Sequence, residues 1–297
     1  MKNPFPKQVK KIGLTAPASS ADRNKFEISK ACLHECGIET VQADHLFAEG
    51  DFMPYLSASD DDRANDLNSL LRNESIDLIQ CLRGGYGSPK ILDRIDWDTL
   101  RNRNLPLIGF SDITAIHLAM LAKGAGIPVA GQMTANLASS MEDPVTFCSF
   151  QRALDVAFHG KRAFAESIPL DILKPGECRG KIIAANLTLL AALCGSEFLP
   201  DFTGTILIVE DIGEKLRKID RHLTQLRHAG ILGKLSGLIF AQFTDCEDPL
   251  LRRKLFLEFT EYVNGPVLSG LAFGHEIPSF SFVCGENAAV KDGFFCF

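Results

Sequence analysis

None of the nine cysteines falls in a Cys-x-x-Cys pair, and no histidine pair completes a zinc set beside Cys32 and Cys36, which lie four apart with His34 between them. No structural metal is expected, and the apolar context of most cysteines points to buried, reduced thiols. No stretch reaches the roughly 18 apolar residues of a membrane span. The first residues, Met1 to Lys7, lack an apolar core ahead of a cleavage site. A cytoplasmic location with no membrane partner is therefore the expectation. No long run of one charge sign occurs, since 37 acidic side chains are interspersed with 31 basic ones for a net charge of −6. That leaves no footprint for nucleic acid and favours a small-molecule partner. The Gly-x-x-x-x-Gly-Lys-Ser/Thr and Gly-x-Gly-x-x-Gly spacings are also missing, so no nucleotide cofactor is indicated.

A chain of 297 residues with 46% hydrophobic and 23% charged side chains has the composition of a globular protein, with room for two domains or one large one. An apolar run at Lys11–Pro17 reads as a strand and is followed by a helix from about Ala21 to Cys36, stopped by Gly37. A second strand spans Ile38–Gln42. A loop through Gly50 and Pro54 leads to Ser59-Asp-Asp-Asp62, whose acids suit a helix first turn, and Ala64, Leu67, Leu70 and Leu71 continue that helix. A third strand, Ile76–Leu82, delivers Arg83-Gly-Gly-Tyr-Gly87. A fourth starts at Leu105, another lies near Ile127–Ala130, and a helix covers about Pro144 to Phe158. This alternation predicts an α/β fold with a doubly wound parallel sheet and ligands at the carboxyl ends of its strands. Irregular sequence from His159 to Gly180 marks a boundary. The expected division is 1–160, a linker over 161–178, and a smaller α/β or β-rich domain over 179–297.

The stretch that organises the first half is Leu105-Pro-Leu-Ile-Gly-Phe-Ser-Asp-Ile-Thr114. The apolar run stops at Gly109, and Ile113, Ile116, His117 and Met120 then recur at helical spacing. Ser111 stands on that corner, where it fits either a helix N-cap or a nucleophile elbow with free N–H groups beside it. The Arg83–Gly87 loop falls at the end of the neighbouring strand, and its glycines allow backbone N–H groups to approach an oxyanion closely.

In the second half, Thr205–Val209 is a buried strand followed by Glu210, and Val267–Phe273 is strand-like and leads to Gly274-His-Glu-Ile-Pro278. A serine nucleophile requires a base, and the base requires an acceptor that fixes its tautomer. His275 and Glu210 fit those roles. Glu210 also has a plainer reading as a surface residue at a strand end, whereas His275 alone among the histidines is set between a glycine and an acid after a strand. The other six histidines lie on or beside helices or in a plain loop.

With these positions assembled, the chain resembles the LD-carboxypeptidase family of serine peptidases, which includes muramoyltetrapeptide carboxypeptidases and microcin-immunity peptidases. The resemblance is carried by Arg83–Gly87, Gly109-Phe-Ser-Asp-Ile-Thr-Ala-Ile-His117, Asn186-Leu-Thr-Leu-Leu190, Val209-Glu-Asp-Ile-Gly-Glu214 with Ile219-Asp-Arg221, and Phe273–Pro278. It implies a flavodoxin-like N-terminal domain, a C-terminal domain of swivelling-barrel type, an active site between them and a homodimer. It places the nucleophile on Ser111, the glutamate on Glu210, the histidine on His275, and the oxyanion donors on the backbone N–H groups of Asp112 and Gly85. Arg83 and Tyr86 are candidates for substrate contact. The implied reaction needs no cofactor and releases D-alanine from a muropeptide tetrapeptide during cell-wall recycling. One alternative is an immunity-type amidase acting on a peptidyl-nucleotide or acylated small molecule, and another is a catalytically silent ligand-binding protein. Two departures from the family pattern, Ala184-Ala185 before Asn186 and Leu216-Arg217-Lys218 after Glu214, are expected to lie near the substrate.

Overall fold

The computed structural model describes residues 2–48, 52–160 and 166–297. Gly50 of the expected loop and residues 161–165 of the expected linker lie outside the described residues. The first half runs β1 (Lys11–Thr15), α1 (Arg23–Glu35), β2 (Glu39–Gln42), α2 (Asp60–Arg72), β3 (Leu78–Cys81), α3 (Trp97–Arg103), β4 (Pro106–Gly109), α4 (Thr114–Lys123), β5 (Ile127–Ala130), α5 (Leu137–Ser140) and α6 (Pro144–His159). Local chemistry sets these limits. Asp22, Ser59 and Asp143 accept N–H bonds at the starts of α1, α2 and α6, while Gly124 closes α4 with φ of 58°.

The second half runs β6 (Ser167–Pro169), β7 (Asp171–Lys174), β8 (Cys178–Asn186), α7 (Leu187–Ala192), β9 (Thr205–Ile212), α8 (Leu216–His228), β10 (Gly237–Thr244), α9 (Pro249–Phe259), β11 (Val267–Ser269), β12 (Phe282–Val283), β13 (Asn287–Lys291) and β14 (Phe294–Cys296). Strands β8, β9, β10 and β11 are parallel neighbours, and β13, β14 and β6 on one side and β7 on the other extend them antiparallel into an eight-stranded mixed sheet.

The first sheet has the order β2-β1-β3-β4-β5, all parallel, with β12 added antiparallel at the β5 edge. The wholly parallel sheet expected from the sequence is thus a mixed one. A two-residue strand that returns from the far end of the chain has no periodicity to announce it, and here it covers an otherwise open edge. Strand order reverses around β1, whose neighbours are β2 and β3. That opens a crevice at the carboxyl ends of the strands, where the loop after β3 and the corner after β4 both fall.

Alternate residues of the central strands feed different cores. Ile183, Ala185, Leu207 and Val209 join Ile113 and Ile116 in one cluster, whereas Ile182, Ala184, Ile206 and Ile208 join Phe273, Phe282, Phe295 and Phe297 in another. The first cluster continues through α2 and α4 into the first sheet, so the two halves share apolar packing at the level of Ser111. The cysteines are less buried than expected. Cys81 and Cys284 are buried, Cys148 is exposed on α6, and the other six are intermediate, because they fall at strand ends and helix flanks instead of at core positions. Among the described residues no helix is long and apolar enough to cross a membrane.

Candidate active site

Ser111 follows β4 through Phe110, which is fully extended at φ −159° and ψ −169°, and then turns into a short 3₁₀ segment ahead of α4. Its own φ is +61°, a left-handed conformation that a non-glycine residue adopts only under constraint. Glycines make the corner possible. A Cβ on Gly109 would sit 2.7 Å from Ile113 Cγ2, and one on Gly84 would sit 2.9 Å from Ser111 Cβ and 3.1 Å from the Asp112 nitrogen.

Three residues from distant parts of the chain meet here. Ser111 Oγ donates to His275 Nε2 at 3.1 Å, and His275 Nδ1–H donates to Glu210 Oε2 at 2.8 Å. Glu210 has 0% exposure. A carboxylate so placed needs all its acceptor sites partnered, and Asn186 Nδ2 supplies the second bond at 3.1 Å to Oε1. The Phe110 ring packs against the imidazole with centroids 5.0 Å apart. Glu210 is the sixth residue of β9, which continues two residues past it, and His275 arrives six residues after β11, which ends at Ser269 and not at the expected Phe273.

The Arg83–Gly87 loop and the Ser111 corner are tied together. Ser88 N–H donates to Asp112 Oδ2 at 2.8 Å and Ser88 Oγ–H to the Asp112 carbonyl at 2.5 Å. Burial raises the Asp112 carboxyl from its ordinary value, an effect that the N–H and hydroxyl bonds from Ser88 partly offset. Beneath the loop, the buried Arg63 donates to the carbonyls of Pro17 and Gly87 at 2.5 and 2.9 Å. Among the described residues neither the Gly85 nor the Asp112 amide has a backbone acceptor of its own.

A cleft of about 270 Å³ opens on Ser111 and His275. Its walls include Arg83, Gly84, Gly85 and Phe110 from the first-sheet loops, Lys25 from the first turn of α1, and Asn136. Arg83, a candidate for substrate contact, thus lines the same cleft as Ser111 and His275. Tyr86 is not part of this lining; its exposed ring packs edge-on against Tyr55 with centroids 5.1 Å apart. Ala184 and Ala185 are buried in β8 facing opposite cores, and Leu216 to Lys218 open α8. Neither departure touches the cleft, contrary to expectation, because β8 turns both alanines into its sheet faces.

Nothing in the sequence singled out Lys25, and Asn186 stood out only as a helix cap and as part of a motif of the family resemblance. Asn186 does cap α7 through Oδ1, yet its amide nitrogen also donates to Glu210 and to Asp211 Oδ1, both at 3.1 Å. Asp211 is 2% exposed, and its carboxyl is raised by burial and by the neighbouring Glu210, although bonds from Thr188 and Asn186 oppose the rise. Adjacent acids at 210 and 211 are the one signal that could have exposed this cluster. Among the described residues no group of three or more His, Cys, Asp or Glu side chains is placed to hold a metal ion.

Comparison with known proteins bears on this arrangement. Residues 12–131 match the LD-carboxypeptidase N-terminal domain, and residues 179–290 match the LD-carboxypeptidase C-terminal domain. The chain belongs to the LD-carboxypeptidase family. It is 30% identical over 287 residues to a probable murein peptide carboxypeptidase of Bacillus subtilis (strain 168), covering 94% of this chain and 88% of that one. It is 28% identical over 295 residues to the murein tetrapeptide carboxypeptidase of Pseudomonas aeruginosa, covering 95% and 93%. The structure of MccF in complex with glutamyl sulfamoyl guanosine superposes with a TM-score of 0.86 over 99% of this chain and 97% of that chain, at 21% identity, which speaks for the fold alone. Both matched LD-carboxypeptidase segments contribute to the site, Ser111 from the first and Glu210 and His275 from the second.

Proposed function

We propose that the protein is a serine-type LD-carboxypeptidase that hydrolyses an L,D peptide bond and releases a C-terminal D-alanine from a muropeptide tetrapeptide. The observation that carries the reading is the hydrogen-bonded chain from Ser111 through His275 to Glu210 in a chain of this family. Ser111 Oγ attacks the scissile carbonyl as His275 Nε2 takes its proton. Glu210 holds the imidazole in the Nδ1–H tautomer and stabilises the imidazolium. His275 then protonates the leaving amine, and a water activated by the same imidazole releases the acyl group from Ser111. The Asp112 and Gly85 amides face the developing oxyanion, each worth about 3 kcal/mol in comparable enzymes. Arg83, together with Lys25, offers positive charge for the terminal carboxylate of the substrate, and the exposed Tyr86 near Arg83 in the chain is a candidate contact for the rest of the peptide.

The order β2-β1-β3-β4-β5 supports a flavodoxin-like first domain over residues 1–160. The mixed second sheet supports a domain of swivelling-barrel type over 179–297, although the expected linker over 161–178 contains β6 and β7, which pair with β14 and β11 at the edges of that sheet. The family resemblance supports action as a cytoplasmic homodimer on a cell-wall peptide.

The cleft wall argues against the immunity-type reading, which calls for a deep aromatic pocket, because among the described residues Phe110 is the one Phe, Tyr or Trp in the lining. Offering the protein a murein tetrapeptide and an aminoacyl sulfamoyl adenylate in parallel tests the choice. D-alanine from the first and no cleavage of the second is the expected result. The reverse pattern rejects the carboxypeptidase reading.

A further inference from the structure

Strand β10 does not pair evenly with β9. Phe240 lies opposite Val209 and Phe243 opposite Asp211, so Ala241 and Gln242 together face the single residue Glu210. This is a β-bulge, a device that redirects a side chain where a regular ladder would not. It sits directly against the carboxylate behind His275.

The bulge presents Gln242 to the loop that carries His275, and all the polar groups of Gln242 that the structure pairs are committed to that loop. Its backbone N–H donates to the Phe273 carbonyl at 3.1 Å. Its Oε1 accepts from the Glu276 N–H at 2.9 Å, and its Nε2 donates to the carbonyls of Glu276 at 3.3 Å and Pro278 at 3.0 Å. The residues on either side of His275 are thus gripped. Gly274, at φ +143°, is confined between the two walls of this grip, since a Cβ there would lie 3.0 Å from Gln242 Cβ and 3.1 Å from Glu210 Oε2.

We propose that Gln242 is a positioning residue for His275: the bulge opposite Glu210 delivers its backbone N–H to Phe273 before the histidine and its side-chain amide to Glu276 and Pro278 after it, and so fixes the imidazole between Glu210 and Ser111. The assignment rests on the serine-peptidase reading of Ser111, His275 and Glu210. His275 has no regular element to hold it. It stands in an irregular loop between β11 and β12, and its ring is aimed by side-chain bonds at both nitrogens together with whatever fixes its backbone. A carboxylate and a hydroxyl restrain the ring, and Gln242 restrains the main chain that bears it. A misplacement of about 1 Å at such a group lowers turnover by about a hundredfold without altering how substrate is held.

The test uses the full chain with Gln242→Ala and Gln242→Glu. The alanine variant removes the side-chain amide and its three bonds while keeping the backbone bond to Phe273. The glutamate variant keeps the shape and the acceptor for the Glu276 N–H but loses both donors. Two readouts are taken, the rate at which a fluorophosphonate probe labels Ser111 and the kcat and KM for tetrapeptide. For Gln242→Ala the expectation is labelling slowed about tenfold or more, kcat reduced in parallel and KM within about twofold. Gln242→Glu is expected to fall the same way. Because Gln242 is only half-buried, a melting temperature within a few degrees of the parent protein is expected to accompany these losses. Labelling and kcat of the parent protein in both variants, with folding intact, overturn the assignment. So does a KM increase with kcat unchanged, which makes Gln242 a substrate contact. The labelling rate does not depend on the substrate, so failure of the D-alanine reading shows in turnover and failure of the Gln242 assignment shows in labelling.

Discussion

Ser111 is held at φ +61°, a conformation that costs a non-glycine residue about 1 to 3 kcal/mol. The strain is what lifts its Oγ from the helix start toward His275. Replacing Ser111 with glycine relieves the strain while removing the nucleophile, so Ser111→Gly is expected to match or exceed the parent protein in urea stability and to show no D-alanine release. Gly84 has the opposite problem. A methyl group there meets Ser111 Cβ at 2.9 Å and Oγ at 3.0 Å, so Gly84→Ala displaces the serine and is expected to lower kcat about tenfold or more by steady-state assay. At this scale much of the site was legible. Ser111 and His275 each stand where an apolar run breaks at a glycine, and Glu210 ends the visible part of a strand. Lys25 was not legible, because only the tertiary fold brings the first turn of α1 to the cleft beside Arg83, Phe110 and Asn136. Nor was the second function of Asn186, whose cap role is local while its bond to Glu210 spans two strands.

Helix α4 is the element that connects the serine corner to the core, and it carries a titratable group. His117 is 1% exposed, with Nε2–H donating to the Leu107 carbonyl at 3.1 Å and Nδ1 unpartnered. Burial lowers its pKa to about 4 from an ordinary 6.5. Below pH 6.5 the unfolded chain takes up a proton that folded His117 refuses until about pH 4, so stability falls as the pH drops through that window, by about 3 kcal/mol at its lower end. Urea midpoints measured between pH 7 and 4 are expected to fall less steeply in His117→Leu than in the parent protein. The alternation of strand and helix in the first half was readable from apolar periodicity, because each strand there is a short continuous run bounded by glycine, proline or a cap. The bulge in β10 was not, since its extra residue leaves Gly237–Thr244 looking like any other buried strand. β12 was hidden for the related reason that two residues cannot display a period.

At the scale of the molecule, the two matched domains are joined by more than the linker. Arg152 on α6 forms a bidentate pair with Glu286, both bonds at 3.0 Å, and also donates to the Ser281 carbonyl, which fastens the C-terminal strands to the first half. Both partners are buried, so removing Arg152 leaves Glu286 without its counter-charge, and removing Glu286 leaves Arg152 with only the longer 3.9 Å contact to Glu166. Glu286→Ala is expected to lower unfolding stability by about 3 to 5 kcal/mol in denaturant titration, with Arg152→Ala similar. Because one apolar cluster runs through both halves, the variant is expected to unfold in a single transition and not to release one domain first. Composition indicated room for two domains, but no local pattern shows a pair 134 residues apart in sequence. The catalytic account depends on this joint, since Ser111 comes from one half and its partners from the other. The measurement that tests it most directly is D-alanine release from a murein tetrapeptide, followed for the parent protein with and without EDTA and for Ser111→Ala. The account predicts release that EDTA leaves unchanged and that Ser111→Ala reduces by several orders of magnitude. Release abolished by EDTA and retained by Ser111→Ala would contradict it.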